Sequence, residues 1–262
     1  MKTTSSLLLA AVTIAAPATQ AAIVNLNVII ENLAPLNSVS FAPLRFGFHQ
    51  GVFDAFNLGQ VATAPIISVA EGGGGAAWFP AFAATDPTAT LGTILPNPAG
   101  PLLPGASGTA SFMIDTAINS FFTFAAMIVP SNDFFIGNDS PTEYRLFDAN
   151  GALLVNSITV LAREVWDAGS EVFDPAAAAF VGVNGLRVDQ GSVVAFNFAE
   201  IAAFKGLTTA AGYLFNSQLA ANTAVYRISF EAIQAAPVPL PAALPLLLGS
   251  LGLLGCLKRR RV

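Results

Sequence analysis

From Ile23 onward, apolar and polar side chains alternate. Val24, Leu26, Val28 and Ile30 fall on one side and Asn25 and Asn27 on the other, the period-two pattern of a half-buried strand. Short runs of the same character recur at Leu44–His49, Ser111–Ile114, Phe121–Val129, Tyr144–Phe147, Ile158–Val165, Ser192–Phe198 and Val225–Ile233, each bounded by Gly, Pro, Asn or Asp. Asp148-Ala-Asn-Gly151 reads as a turn between two of them. About eight short strands with irregular connections predict an all-β fold, an antiparallel β-sandwich. No long stretch carries helical periodicity. Ala64–Glu71, stopped by Gly72–Gly75, is expected to be a short helix. The Ala-rich segment Ala199–Ala221 fits one further helix before the last strand, and the Pro- and Gly-rich stretch Ala76–Gly108 reads as a long surface loop. No internal repeat is visible.

The two ends read as addresses. Lys2 precedes the short apolar run Leu7–Ala16, and Ala18-Thr-Gln-Ala-Ala22 offers small residues to a signal peptidase, so residues 1–21 are expected to be a signal peptide. At the other end Val238-Pro-Leu-Pro-Ala242 leads into the apolar run Ala242–Leu257 and the basic cluster Lys258–Arg261. That run is 16 residues, roughly 24 Å as a helix. It falls a little short of the ~30 Å hydrocarbon core, so the cations snorkel and hold their end in the cytoplasm. Residues 238–262 resemble the PEP-CTERM class of bacterial sorting signals, in its VPLPA variant. The resemblance implies cutting near the tag by an exosortase-type enzyme. It further implies a precursor held transiently in the inner membrane, then delivery to the cell surface or extracellular matrix of a Gram-negative bacterium. Permanent C-terminal anchoring is the alternative.

Removing both ends leaves residues 22–237, long enough for one domain with a full core. It also changes the charge. Five of the 11 Lys and Arg lie in the ends, leaving six against all 16 acids, a net charge of −10 where the whole chain carries −5. Such a surface repels nucleic acid and anionic lipid and tolerates cations. The single cysteine, Cys256, lies in the apolar tail, so the domain forms no internal disulfide.

Catalytic constellations are scarce. One histidine, His49, excludes a His-His or Cys-His metal set. No Gly-x-Ser-x-Gly elbow accompanies it, and Gly72–Gly75 is not followed by the Lys-Ser/Thr of a phosphate loop. The expectation is a non-enzyme. A secreted hydrolase working through an acidic cleft is the alternative, since two acids can meet in any fold.

Three stretches carry a more specific likeness. They are Phe41-Ala-Pro43 with Gly47–Gly59 and Ala70-Glu-Gly72, then Pro130-Ser-Asn-Asp133 with its aromatic follower, then Trp166-Asp-Ala-Gly-Ser-Glu171. Together they resemble the spondin N-terminal domain, found in extracellular matrix proteins of animals and in secreted bacterial proteins. The resemblance implies a β-sandwich with one Ca2+ held by loop acids at one end, the ligands carried over being Asp133, Asp167 and Glu171. It also implies a surface module that meets a protein or glycan partner in adhesion or in the exopolysaccharide matrix. Hard carboxylate oxygens suit calcium, and Gly169 allows the sharp turn between Asp167 and Glu171. Animal members usually carry a shorter acid at the position of Glu171 and have disulfides that this chain lacks. The alternative is that these acids are solvated turn formers. His49 and Asp54 are expected to be structural, and Trp166 and Phe134 to pack the loop bases onto the core.

Overall fold

The computed structural model describes residues 23–96, 98–217 and 219–233. The signal segment and the Val238–Val262 tail lie outside the described residues. Among those residues no helix is long and apolar enough to cross a membrane.

The fold is all-β, with twelve strands among the described residues, in two antiparallel sheets, rather than about eight. The additional strands are short pieces that no alternation announces. The first sheet has four strands: β1 (Ile23–Asn32), β5 (Ser107–Asp115), β9 (Ser157–Leu161) and β12 (Ala224–Ile233), in the order β5-β1-β12-β9. The second sheet runs β11-β10-β7-β6-β3-β4. Its members are β3 (Leu44–His49), β4 (Thr90–Ile94), β6 (Phe121–Val129), β7 (Phe134–Gly137), β10 (Trp166–Asp167) and β11 (Ala195–Phe196). The short strands β2 (Ser40–Phe41) and β8 (Tyr144–Arg145) also pair with β6.

The alternation in β1 does what its pattern predicts. Leu26, Val28 and Ile30 are fully buried between the sheets, and Asn25, Asn27 and Ile29 on the other face are only partly covered. The Phe122 ring on β6 meets Phe230 on β12 at 5.1 Å, so the two sheets interlock through aromatic edges.

Strand β6 is apolar almost throughout because both its faces are covered. Phe122, Phe124, Ala126 and Ile128 enter the core between the sheets, while Ala125 belongs to a second core on the opposite face. Two helices build that second core: α1 (Ala64–Ala70) and α2 (Trp78–Thr85). Gly47 on β3 makes room for α2, since a Cβ there would lie 2.4 Å from the Phe82 ring.

Helix α1 ends within a residue of its expected boundary, but Ala76–Gly108 is no surface loop. It supplies α2, β4 and the start of β5. Pro80 lies in the first turn of α2, where its missing N–H is harmless. Gly92 in β4 is filled by the Phe46 ring, 2.4 Å from where its Cβ would stand. The helix expected over Ala199–Ala221 is a short 3-10 helix, Phe198–Phe204, and the described residues 205–217 and 219–221 are loops, with Ile201, Phe204 and Phe215 buried.

His49 is structural, as expected. Its Nδ1 accepts the Gly51 N–H at 3.1 Å, so Nε2 carries the proton and donates to Thr123 Oγ1 at 3.0 Å. Burial pulls its pKa down to about 4, against a small opposing pull from the Asp86 charge. Asp54 accepts a hydrogen bond from Asn57 Nδ2 at 2.9 Å, within its own loop.

Candidate functional site

The pairing of β7 with β10 decides the site. It sets Asp167 opposite Phe134, and so beside Asp133, although 34 positions separate the two acids in the chain. The Ser131 hydroxyl accepts the Phe134 N–H at 3.1 Å and donates to the Ile128 carbonyl at 2.6 Å, which fixes the turn before β7. Phe134 is buried in the main core. Trp166 stacks on Phe196 at 4.0 Å and donates its indole N–H to the Gly137 carbonyl at 2.9 Å. These two aromatics therefore pack the bases of both loops, as the sequence implies.

Asp133 is almost wholly buried. Its Oδ2 accepts the backbone N–H groups of Ser170 at 2.7 Å and Glu171 at 2.9 Å, and the Ser170 hydroxyl at 3.2 Å. Asp167 Oδ1 accepts the Gly169 N–H at 2.8 Å, closing an Asx turn, and its Oδ2 accepts Asn197 Nδ2 at 3.0 Å. Gly169 sits at φ 65°, and a Cβ there would lie 2.8 Å from the Val193 carbonyl oxygen, so glycine is required on two counts.

Glu171 turns partly another way. Its side chain is buried, with Oε1 3.3 Å from Arg187 Nη1, and that guanidinium also donates to the Glu71 carbonyl at 2.8 Å. The other carboxylate oxygen, Glu171 Oε2, is buried and has no hydrogen-bond partner.

Asp133, Asp167 and Glu171 line one open cleft of about 420 Å³. Among the other residues that line it, two that no sequence motif marks bear on these acids: Asn197, which holds Asp167, and Glu200, whose buried Oε2 also lacks a partner. The only sequence signal for Glu200 is that it is the sole acid between Asp189 and Glu231.

The electrostatics mark the cleft as short of positive charge. Burial pushes the Asp133 carboxyl up to about 6, with the Asp167 charge adding to it and three hydrogen bonds pulling back. Burial likewise pushes Glu171 up to about 7. Arg187 and, less, the Asn132 side chain oppose that rise, and the charges of Glu71 and Asp133 add to it. Burial raises the Glu200 carboxyl too, with the Asn197 side chain pulling back and the Asp167 charge adding to the rise. All the donors are hard oxygens, and two of them are buried and unsatisfied, which fits a hard cation in kind. No group of three or more acid, His or Cys side chains among the described residues stands ready-made in a metal-holding arrangement.

No protein-family model matches the chain, and no curated protein matches it.

Proposed function

We propose that the chain is an exported, calcium-binding β-sandwich module of the cell surface or extracellular matrix, non-catalytic and resembling the spondin N-terminal domain. Asp133, Asp167 and Glu171 would hold the ion, with Glu200 and Asn197 at the same cleft. The observation that carries this reading is the pair of buried, unpartnered carboxylate oxygens, Glu171 Oε2 and Glu200 Oε2, lining a cleft with two further acids. An uncompensated buried carboxylate is costly, and a divalent cation relieves several at once.

When bound, calcium supplies charge neutralisation and rigid cross-linking of loops, and no chemistry on a substrate. The chain's own residues do the positioning. Ser170 and Glu171 N–H groups hold Asp133, Gly169 turns the chain, and Asn197 orients Asp167. The partner is a surface protein or glycan, consistent with a domain that carries six cations against 16 acids and is unsuited to nucleic acid. Export and exosortase-type processing of the Val238–Ala242 tag belong to the same proposal and rest on the sequence of the two ends.

One observation favours a second reading. Carboxyls raised to about 6 and about 7 beside other acids are also what a hydrolase uses as a general acid. Thermal melting separates the two. A calcium module gains stability with millimolar Ca2+ and loses the gain when Asp167→Asn is introduced. The mass-action gain is about 2.7 kcal/mol when free ion is 100 times the dissociation constant. Identical melting in chelator and in calcium would remove the proposal and leave the acidic cleft to the hydrolase.

A further inference from the structure

Strand β5 is an outer edge of the four-stranded sheet, with β1 its neighbour on one side. Natural edge strands ordinarily carry a lysine, a proline, a bulge or a covering element that stops another chain from pairing with them. Among the described residues β5 has no lysine, proline or bulge, and only Leu95 stands beside it, at its Gly108 end. Ser107–Ile114 has no charge and no proline, and its ladder with β1 runs without a register shift from Ile23↔Asp115 to Glu31↔Ser107. Among the described residues no backbone group of Gly108–Ile114 bonds to anything but β1. Leu95 lies against the Gly108 end of the strand, its carbonyl 2.9 Å from where a Gly108 Cβ would stand and its residue in one groove with Ser107 and Thr109, so the pairing proposed below rests on the Thr109–Met113 length.

The inward row of this strand is incompletely covered. Ala110 and Phe112 are half-buried, whereas Leu26, Val28 and Ile30 beside them on β1 are fully buried. The outward row is Ser107, Thr109, Ser111 and Met113, all exposed, Met113 by 61 %.

We propose that β5 pairs with β5 of a second copy of this chain, antiparallel about a two-fold axis at Ser111, joining two four-stranded sheets into one continuous sheet. The strand matches itself in that arrangement. Thr109 faces Met113 of the partner subunit, and Ala110 faces the partner's Phe112, so the half-buried ring gains cover on both copies. Asp115, the strand's one charge, falls opposite Ser107 of the partner subunit. The two Asp115 carboxylates then stand at opposite ends of the seam, roughly 27 Å apart at about 3.4 Å per residue. The seam is neutral while the rest of the domain is strongly acidic, so added salt strengthens the association.

The test uses the full chain in mild detergent with Cys256→Ser, which leaves any introduced thiol alone. Single cysteines replace Thr109, Ser111 and Met113, with Ser157→Cys on the opposite edge strand as control. All four positions lie on the outward face, so folding is not at stake. A short bis-maleimide is expected to link Ser111→Cys chains fastest. Thr109→Cys and Met113→Cys are each expected to link poorly alone and quickly when the two variants are mixed. Equal rates at Ser111→Cys and Ser157→Cys, no gain on mixing, or capture of a chain of different mass at Ser111→Cys would each overturn self-pairing.

Discussion

Neutralising Asp133 is expected to stabilise the domain while removing its hold on calcium. The Asp133 carboxyl is 2 % exposed, and its pKa is raised from 3.8 to about 6, first by burial and then by Asp167. A raised folded-state value means that the unfolded chain gives up this proton first. The stability that protonated Asp133 contributes is fully present below about pH 4 and is lost as pH rises through 6. At neutral pH the charged group is then a liability of about two pKa units, or roughly 3 kcal/mol. Asp133→Asn removes the charge and keeps a carbonyl oxygen for the Ser170 and Glu171 N–H groups. Allowing about a third for imperfect replacement of the hydrogen bonds leaves about 2 kcal/mol. For a domain of this size that is about 4–8 °C in Tm. The assay is thermal melting of residues 22–237 in chelator at pH 7.5 and pH 4.5, wild type against variant. The variant is expected to melt higher at pH 7.5, with the gap narrowing at pH 4.5, and to gain nothing from calcium. A variant that melts lower at neutral pH, or by a gap that ignores pH, refutes the reasoning.

The buried imidazole has the opposite sign. His49 is held neutral with a pKa of about 4 against 6.5, so the stability it contributes is complete above 6.5 and is lost as pH falls through 4, up to about 3 kcal/mol. As the sole histidine, it gives one resonance in an imidazole NMR spectrum, expected not to titrate between pH 7 and 5. Gly47→Ala drives a methyl into the Phe82 ring and is expected to cost about 1–3 kcal/mol in denaturant melts. Adding Phe82→Ala should remove most of that cost and leave the Leu91 methyl at 2.9 Å to give way, which a double-mutant cycle reads directly. At the tail, intact mass of protein recovered from the native host is expected to lack Leu246–Val262, and replacing Pro239 and Pro241 should retain it. A surface protein that still carries those residues would mean a permanent anchor.

The parts of the fold legible in the sequence are those where local pattern and tertiary burial agree. β3 and β6 begin and end where their apolar runs do, and β1 alternates as an element with one covered face must. α2 and β4 were hidden because Pro80 and Gly92 read as breakers. Each is instead accommodated by its place: Pro80 in a first helical turn, Gly92 under the Phe46 ring. At the cleft, the motifs brought out Asp133, Asp167 and Glu171, and β7–β10 pairing accounts for the proximity of the first two. Neither Glu200 nor Arg187 lies in a motif. Both arrive from long irregular segments whose path is set by packing of Ile201 and Phe204 and by the Glu71 carbonyl.

Arg187 is also what makes a direct binding measurement necessary, since it shares Glu171 with any ion that enters. Calorimetric titration of Ca2+ into chelator-treated residues 22–237 at pH 7.5 tests the central claim. One saturable site per domain is expected, absent in Asp133→Asn and Asp167→Asn, and tighter when Arg187→Gln frees the Glu171 carboxylate. A titration showing no heat beyond dilution, together with unchanged melting at millimolar calcium, would contradict it.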